Sequence, residues 1–332
     1  MAKQQGLALG AALAAACVTA GCGTLRDPAT IQPDMLGYNE AIAMSQREQL
    51  LLNIVRLRYR DTVNFIQITG VTTSYSSSLG GDLGSGFGID AGPFEEALRF
   101  GAEGERSVRP LVEYEPLQGP GYAFQLLSPI EPSSLFLLTQ SGWSAERLLL
   151  CCIARVAEVE NARAAAGPTP DFVPDNTGFR ALAADFRRLQ LEGGLIVDIY
   201  AGSGGRQVVL TIRGESAPAT RVREALGFEQ GETSLPITDQ ATAGDALTVR
   251  GRSLLGILAA LSQTVEVTAE HAAFVTAPPA SGDWNTVIGG MFRVRHSEER
   301  PTDAAVAVQY RGVWFSIADS DLQSKSTFDL VS

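Results

Sequence analysis

Residues able to do chemistry are few in this chain, and Cys22 has the most informative setting. It closes Thr19-Ala20-Gly21-Cys22, behind the cationic start at Lys3 and the apolar stretch from Gly6 to Val18. A cationic start, a short apolar run and small residues together make an export segment. The run is too short for a membrane span, which takes about 20 apolar residues. The arrangement ending at Cys22 reads as export and lipid anchoring. Cys151 and Cys152 sit inside Leu148-Leu149-Leu150-Cys151-Cys152-Ile153. Adjacent cysteines strain a mutual bridge, and the apolar setting marks them as small core residues.

The remaining chemistry is sparse. His271 and His296 lie in no metal-ligand spacing. Gly202-Ser203-Gly204 falls in an expected hairpin loop, whereas a nucleophile elbow needs a strand-to-helix turn. Gly84-Ser85-Gly86-Phe87-Gly88 lacks the Lys-Ser/Thr that a phosphate loop requires. Asp319-Ser320-Asp321 begins like a calcium loop, but Gln323 takes the next ligand position and the glycine is missing. Glu95-Glu96 and Glu298-Glu299 are adjacent pairs, which point in different directions. No cofactor and no metal are implied, and the reading leans away from an enzyme. The alternative is an envelope hydrolase working through carboxylates from distant positions, which needs two acids facing each other across a cleft.

Thr19-Ala20-Gly21-Cys22 resembles the lipobox of bacterial lipoproteins, with Thr19 where that motif prefers Leu. The resemblance implies cleavage before Cys22 and its acylation, palmitate included. Three chains on one cysteine would anchor it stably, since two already suffice. Gly23 rather than Asp after the cysteine implies the outer membrane. Ala14-Ala15-Ala16 and Val18-Thr19-Ala20 also satisfy the small-x-small rule of ordinary signal peptidase, which leaves a soluble periplasmic product open.

Composition narrows the partners. Losing residues 1–21, which hold Lys3 and no acid, takes the formal net charge from −11 to −12. Nucleic-acid binders need a basic stripe, and here arginines are interleaved with acids, so no nucleic-acid partner is expected. With 332 residues and 45% apolar content, the chain can bury a large core and has room for two domains.

The elements expected to hold these residues are mixed. Apolar spacing predicts a helix from Asn39 to about Tyr59, with Asn39 as N-cap and Arg56, Arg58 and Arg60 at its C-terminal end. Positive charge there complements the helix dipole, or forms a candidate interface with an anionic headgroup or a partner. Strands are expected at 65–69, 71–75, 108–114 and 122–127. The glycine- and serine-rich stretch 76–92 reads as a long loop or an assembly-dependent β-extension. Helices follow at 133–138 and 144–166, then a proline-rich boundary at 164–176. Beyond it lie a helix at 177–191, a hairpin at 195–213, a helix at 219–226 and a strand at 247–250. The remainder reads as a buried helix at 253–263, a strand at 265–268, a hairpin at 304–317 and a last helix from Ser324. The order lacks regular alternation and reads as α+β. The expected division is a signal peptide at 1–21, a lipid-anchored tether at 22–34, and α+β domains at 35–165 and 175–332.

Trp314 and Phe315, in the aromatic hairpin Tyr310 to Ile317, are candidate interface anchors. Glu48 to Tyr59, Tyr310 to Phe315 and Asp321 to Phe328 as a set resemble a group of uncharacterised proteobacterial lipoproteins. That resemblance covers most of the chain and brings no functional residues. In that group an apolar helix follows where this chain stops at Ser332. The function expected is a non-enzymatic envelope lipoprotein. It would face the periplasm from the outer membrane, joined to that membrane by its N-terminal lipid and to an envelope protein partner.

Overall fold

The computed structural model describes residues 28–82, 101–162, 174–202, 205–240, 246–275 and 284–332. Cys22 and the export segment lie outside them, as do Gly84 to Gly88, Ser203 with Gly204, and most of the 164–176 boundary. The architecture is α+β.

Helix α1 (Pro28–Arg58) begins before Asn39, so residues 28–34, expected to be tether, are helical. Pro28 suits a first turn, where its missing N–H would be unpaired anyway, and Asn39 lies in the helix interior. The C-terminal half of α1 buries Leu50, Leu51, Ile54, Val55 and Leu57, while Leu36 is 69% exposed. The chain then enters a ribbon, β1 (Ile66–Asp82) antiparallel to β2 (Gly101–Pro116), which forms a two-stranded sheet by itself. Residues 76–82, expected as loop or β-extension, are strand. At about 3.3 Å per residue a strand of this length reaches roughly 55 Å.

Helix α2 (Pro120–Leu127) replaces the strand expected at 122–127. Pro120 occupies the first turn with φ preset for a helix, and a short apolar run does not distinguish strand from helix by spacing. Helix α3 (Pro132–Gln140) leads to α4 (Ala145–Cys152), capped when the Ser144 side chain accepts from the Arg147 N–H. The helix expected to reach 166 stops at Cys152, because the β-branched Ile153 and Val156 enter a sheet as β3 (Ile153–Val156). Ala157 at φ 48° then turns the chain into β4 (Val159–Glu160).

Next come α5 (Thr177–Glu192), β5 (Leu195–Gly202), β6 (Gly205–Ile212), α6 (Ala217–Leu226), β7 (Ser234–Thr238), β8 (Leu247–Gly251) and α7 (Leu254–Ser262). Gly193 closes α5 at φ 73°, a left-handed position that suits glycine. Strands β4-β3-β8-β7-β6-β5 make one six-stranded sheet with β7 and β8 parallel. It takes β3 and β4 from before residues 164–176 and the other four from after, so both halves of the chain share one sheet and one continuous core.

The last part holds α8 (Trp284–Val287), β9 (Arg295–Ser297), β10 (Ala304–Tyr310), β11 (Val313–Ala318) and α9 (Leu322–Val331), with sheet order β10-β11-β9. Arg311 at φ 51° and Gly312 at φ 84° form the tight β10–β11 turn. Residues 265–268, expected as a strand, contribute a single bridge from Val265 to Val294. Phe179, Phe186, Phe292, Phe315 and Phe328 are fully buried in the core.

The buried end of α4 explains two polar residues in that core. Its last carbonyls have no partner within the helix. Asn161 donates to the Leu149, Leu150 and Ile153 carbonyls at 3.3, 3.1 and 2.9 Å. Arg252, 3% exposed, donates to the Leu150, Cys151 and Ala162 carbonyls. Cys151 and Cys152 are both buried here, as the apolar run implies. The neighbouring Cys151 and burial together push the Cys152 thiol well up, which keeps it protonated.

Candidate functional site

The ribbon is fixed to the body at one place, and α1 supplies the fixings. Gln49 and Asn53 stand four residues apart and so share a face of the helix. Asn53 is fully buried; its amide donates to the Asn64 carbonyl at 2.7 Å and accepts from the Asn64 N–H at 3.0 Å. The Gln49 side-chain oxygen accepts from the Ile66 N–H at 3.2 Å, satisfying the first backbone donor of β1. The Leu117 N–H closes the other strand onto the Phe65 carbonyl at 2.9 Å. Both amides thus replace pairings that the chain loses on leaving the helix.

A second knot locks the end of α1 to the C-terminal hairpin. Tyr310 donates a short hydrogen bond to the Asp61 carboxylate, and Arg311 donates to the same oxygen at 2.9 Å. The Tyr310 hydroxyl, followed by Arg311, holds the Asp61 carboxyl below the usual carboxylate range. Burial, then the bond to Asp61, pushes the Tyr310 phenol up. The Arg311 guanidinium lies over the rings of Tyr59 and Phe274 at 5.1 and 5.3 Å. Tyr59 hydroxyl and His271 Nδ1 are 2.9 Å apart. Every group here has a partner inside the protein, so this is a mechanical joint.

Beside the ribbon root lies an open groove of about 760 Å³ between α1, the root and the β10–β11 hairpin. Its lining includes Glu48, Arg56, Phe65, Gln118, Arg300 and Trp314. Arg300 stacks over the Trp314 ring at 5.3 Å, presenting a flat cationic wall. Glu48 is the one carboxylate in the lining among the described residues. The facing acid pair that glycoside hydrolysis requires is not what this groove offers. Among the described residues no group of His, Cys, Asp and Glu could hold a metal. His296 stands 3.7 Å from Glu266, and His271 serves Tyr59.

The expected interface residues separate in space. Arg56 and Trp314 both line the groove. Arg58 turns inward, with Nε donating to the Val265 carbonyl at 3.4 Å, and burial lowers its pKa. Arg60 is exposed at the helix end with φ 59°. The three arginines therefore form no common basic face. Phe315 is fully buried, edge-on to Tyr59 at 6.1 Å, so it is a core residue. Alternation along β11 accounts for the split between Trp314 and Phe315. Gln49 and Asn53 escape sequence reading; the available signal is a polar pair at helical spacing, Gln49 just before the buried stretch from Leu50 to Leu57 and Asn53 within it.

Comparison of the chain with protein-family models, with curated proteins and with solved structures finds no match in any of the three.

Proposed function

We propose that this protein is an envelope lipoprotein, anchored through acylated Cys22 at the periplasmic face of the outer membrane, and that it acts as an assembly partner rather than an enzyme. The observation that carries this reading is the ribbon. Among the described residues its strands pair only with each other, which leaves backbone donors and acceptors along both long edges without a strand partner there. A two-stranded ribbon is marginal in water by itself, and an edge of this kind is how sheets recruit further strands. The anchor reading is supported by the lipobox-like tetrapeptide and the resemblance to proteobacterial lipoproteins. Among the described residues no helix is long and apolar enough to cross a membrane.

Growth with radiolabelled palmitate tests the anchor: label is expected in the wild type and absent from Cys22→Ala. Crosslinking in intact cells tests the assembly role, and complexes should disappear when the ribbon is shortened. Unlabelled wild-type protein, or a protein crosslinked to nothing, would refute the corresponding half.

A further inference from the structure

The ribbon has two chemically different faces, and a bulge creates them. Antiparallel partners share a face, and faces alternate along each strand. Five of the six charged residues of β2, Glu103, Glu105, Arg109, Glu113 and Glu115, fall on one face, which also carries Leu111. The other face carries Val108, Pro110, Val112 and Tyr114. In β1 the apolar residues change parity, from Ile66 and Ile68 to Val71 and Tyr75. The irregularity between Ile68 and Gly70 absorbs one residue. Ile68 thereby pairs with Tyr114, Val71 with Val112 and Tyr75 with Val108. All of these lie on one face. The opposite face of β1 holds small polar positions, Thr72, Ser74, Ser76 and Ser78. At the root, where side chains are described, Ile66 and Tyr114 of the apolar face are 46% and 64% exposed.

The apolar face is free of charge from Ile66 to Tyr75 and from Val108 to Pro116; Arg106 lies beyond it toward the far end. Transmembrane β-strands need about 9 to 11 residues. A run of this length covers roughly 33 Å and, tilted by about 40°, rises about 25 Å, the height of an outer-membrane apolar band. Tyr114 and Tyr75 stand near its two ends, where such bands carry aromatic girdles. The other face is mostly small polar and charged, with Leu111 its one large apolar residue opposite Thr72, and so suits a watery lumen. The uncovered edges are β1 on one side and β2 on the other. In a ring of copies, β2 of one chain meets β1 of the next in antiparallel sense, and the head-to-tail contact closes without leftover edges. Pro110 removes one donor from β2, a local gap such a seam tolerates at a strand edge.

We infer that several copies of this chain pair their ribbons edge to edge into a β-barrel that crosses a lipid bilayer, with the Val71–Val112 face toward the acyl chains and the Ser74–Arg109 face toward water. Each copy gives two strands, so the smallest barrels known, of about eight strands, would take four copies. This inference rests on the envelope reading above and deepens it, by naming the partners as further copies of the chain and the ligand as bilayer lipid.

The test uses the full chain, extracted from membranes in mild detergent and added to planar phosphatidylcholine bilayers. Wild type is expected as a ring-sized oligomer that opens stepwise conductances. Val108→Arg and Val112→Arg, which put charge on the lipid-facing side, should cut the frequency of channel events at least roughly ten-fold. Leu191→Arg, at an apolar position 71% exposed on α5, should leave it unchanged. Unchanged thermal melting of the body in the arginine variants separates loss of insertion from loss of folding. A wild type that stays monomeric and silent, oligomers that never conduct, or arginine variants that conduct normally would each overturn the barrel. Palmitate labelling of the same samples shows separately whether the anchor reading survives.

Discussion

The body and the ribbon solve the same problem, the backbone's need for partners, in opposite ways. In the body the buried end of α4 leaves carbonyls that would be orphaned, and Asn161 and Arg252 are brought in to meet them. Among the described residues the ribbon strands have no strand partner but each other. An unpaired edge this long is what a monomer suppresses. The difference teaches that the body meets its backbone needs internally, whereas the ribbon, on the proposal above, is completed by further copies of the chain. Gln49 and Asn53 sit at the seam between the two.

Variants can break this contrast. The largest effect is expected in the body: Arg252→Met should cost about 3 to 5 kcal/mol, because the buried Cys151 and Ala162 carbonyls lose the Arg252 donor while Leu150 keeps only Asn161. A denaturant melt measures it, and a cost near zero would mean that water reaches the end of α4. Asn53→Ala should cost about 2 kcal/mol through its lost pair of bonds and the space left behind. Its signature is faster hydrogen exchange at Asn64 and Ile66 with slow exchange kept in β8, since the seam loosens before the core.

A smaller effect carries a pH dependence. Asp185 accepts two bonds from Arg221, both 2.7 Å, and these hold its carboxyl below the ordinary range. A depressed carboxyl stabilises the fold above its unfolded pKa, near 3.9, and that contribution vanishes as pH falls through the lower folded value. Asp185→Asn should therefore cost about 1 to 2 kcal/mol at pH 7 and almost nothing near pH 2. Equal costs at both pH values would assign the loss to packing. The smallest effect belongs to the ribbon. Val112→Ala should change the melting of detergent-solubilised monomer by less than about 0.5 kcal/mol. A core-sized cost would mean that the apolar face already has a partner within the chain.

Much of the body can be read in the sequence, because its signals are local. The caps Ser144 and Ser253, the stops Gly193 and Gly227 and the turn Arg311-Gly312 act over a few residues and mark their elements correctly. Tyr122 to Leu127 and Ile153 to Val156 misread because short apolar runs suit strand and helix alike. At 153–156 the choice fell to a partner strand nearly a hundred residues away, β8. The site is harder to read still. Arg56 and Trp314 both line the groove, but Arg58 and Phe315 are taken by the core, and no local rule separates neighbours that alternate between the two.

What the sequence determined by itself is composition and period. It sets an acidic chain with few catalytic groups, a lipobox-like cysteine, caps and turns, and the even–odd segregation of charge along β2. Tertiary structure alone decided which strands pair, that one sheet spans both halves of the chain, and that a bulge at Thr69 brings Ile68 and Val71 onto the same face. Period is carried by neighbours and can be read one residue after another. Register is fixed where distant segments meet, and a slip of one residue would exchange the two faces of the ribbon.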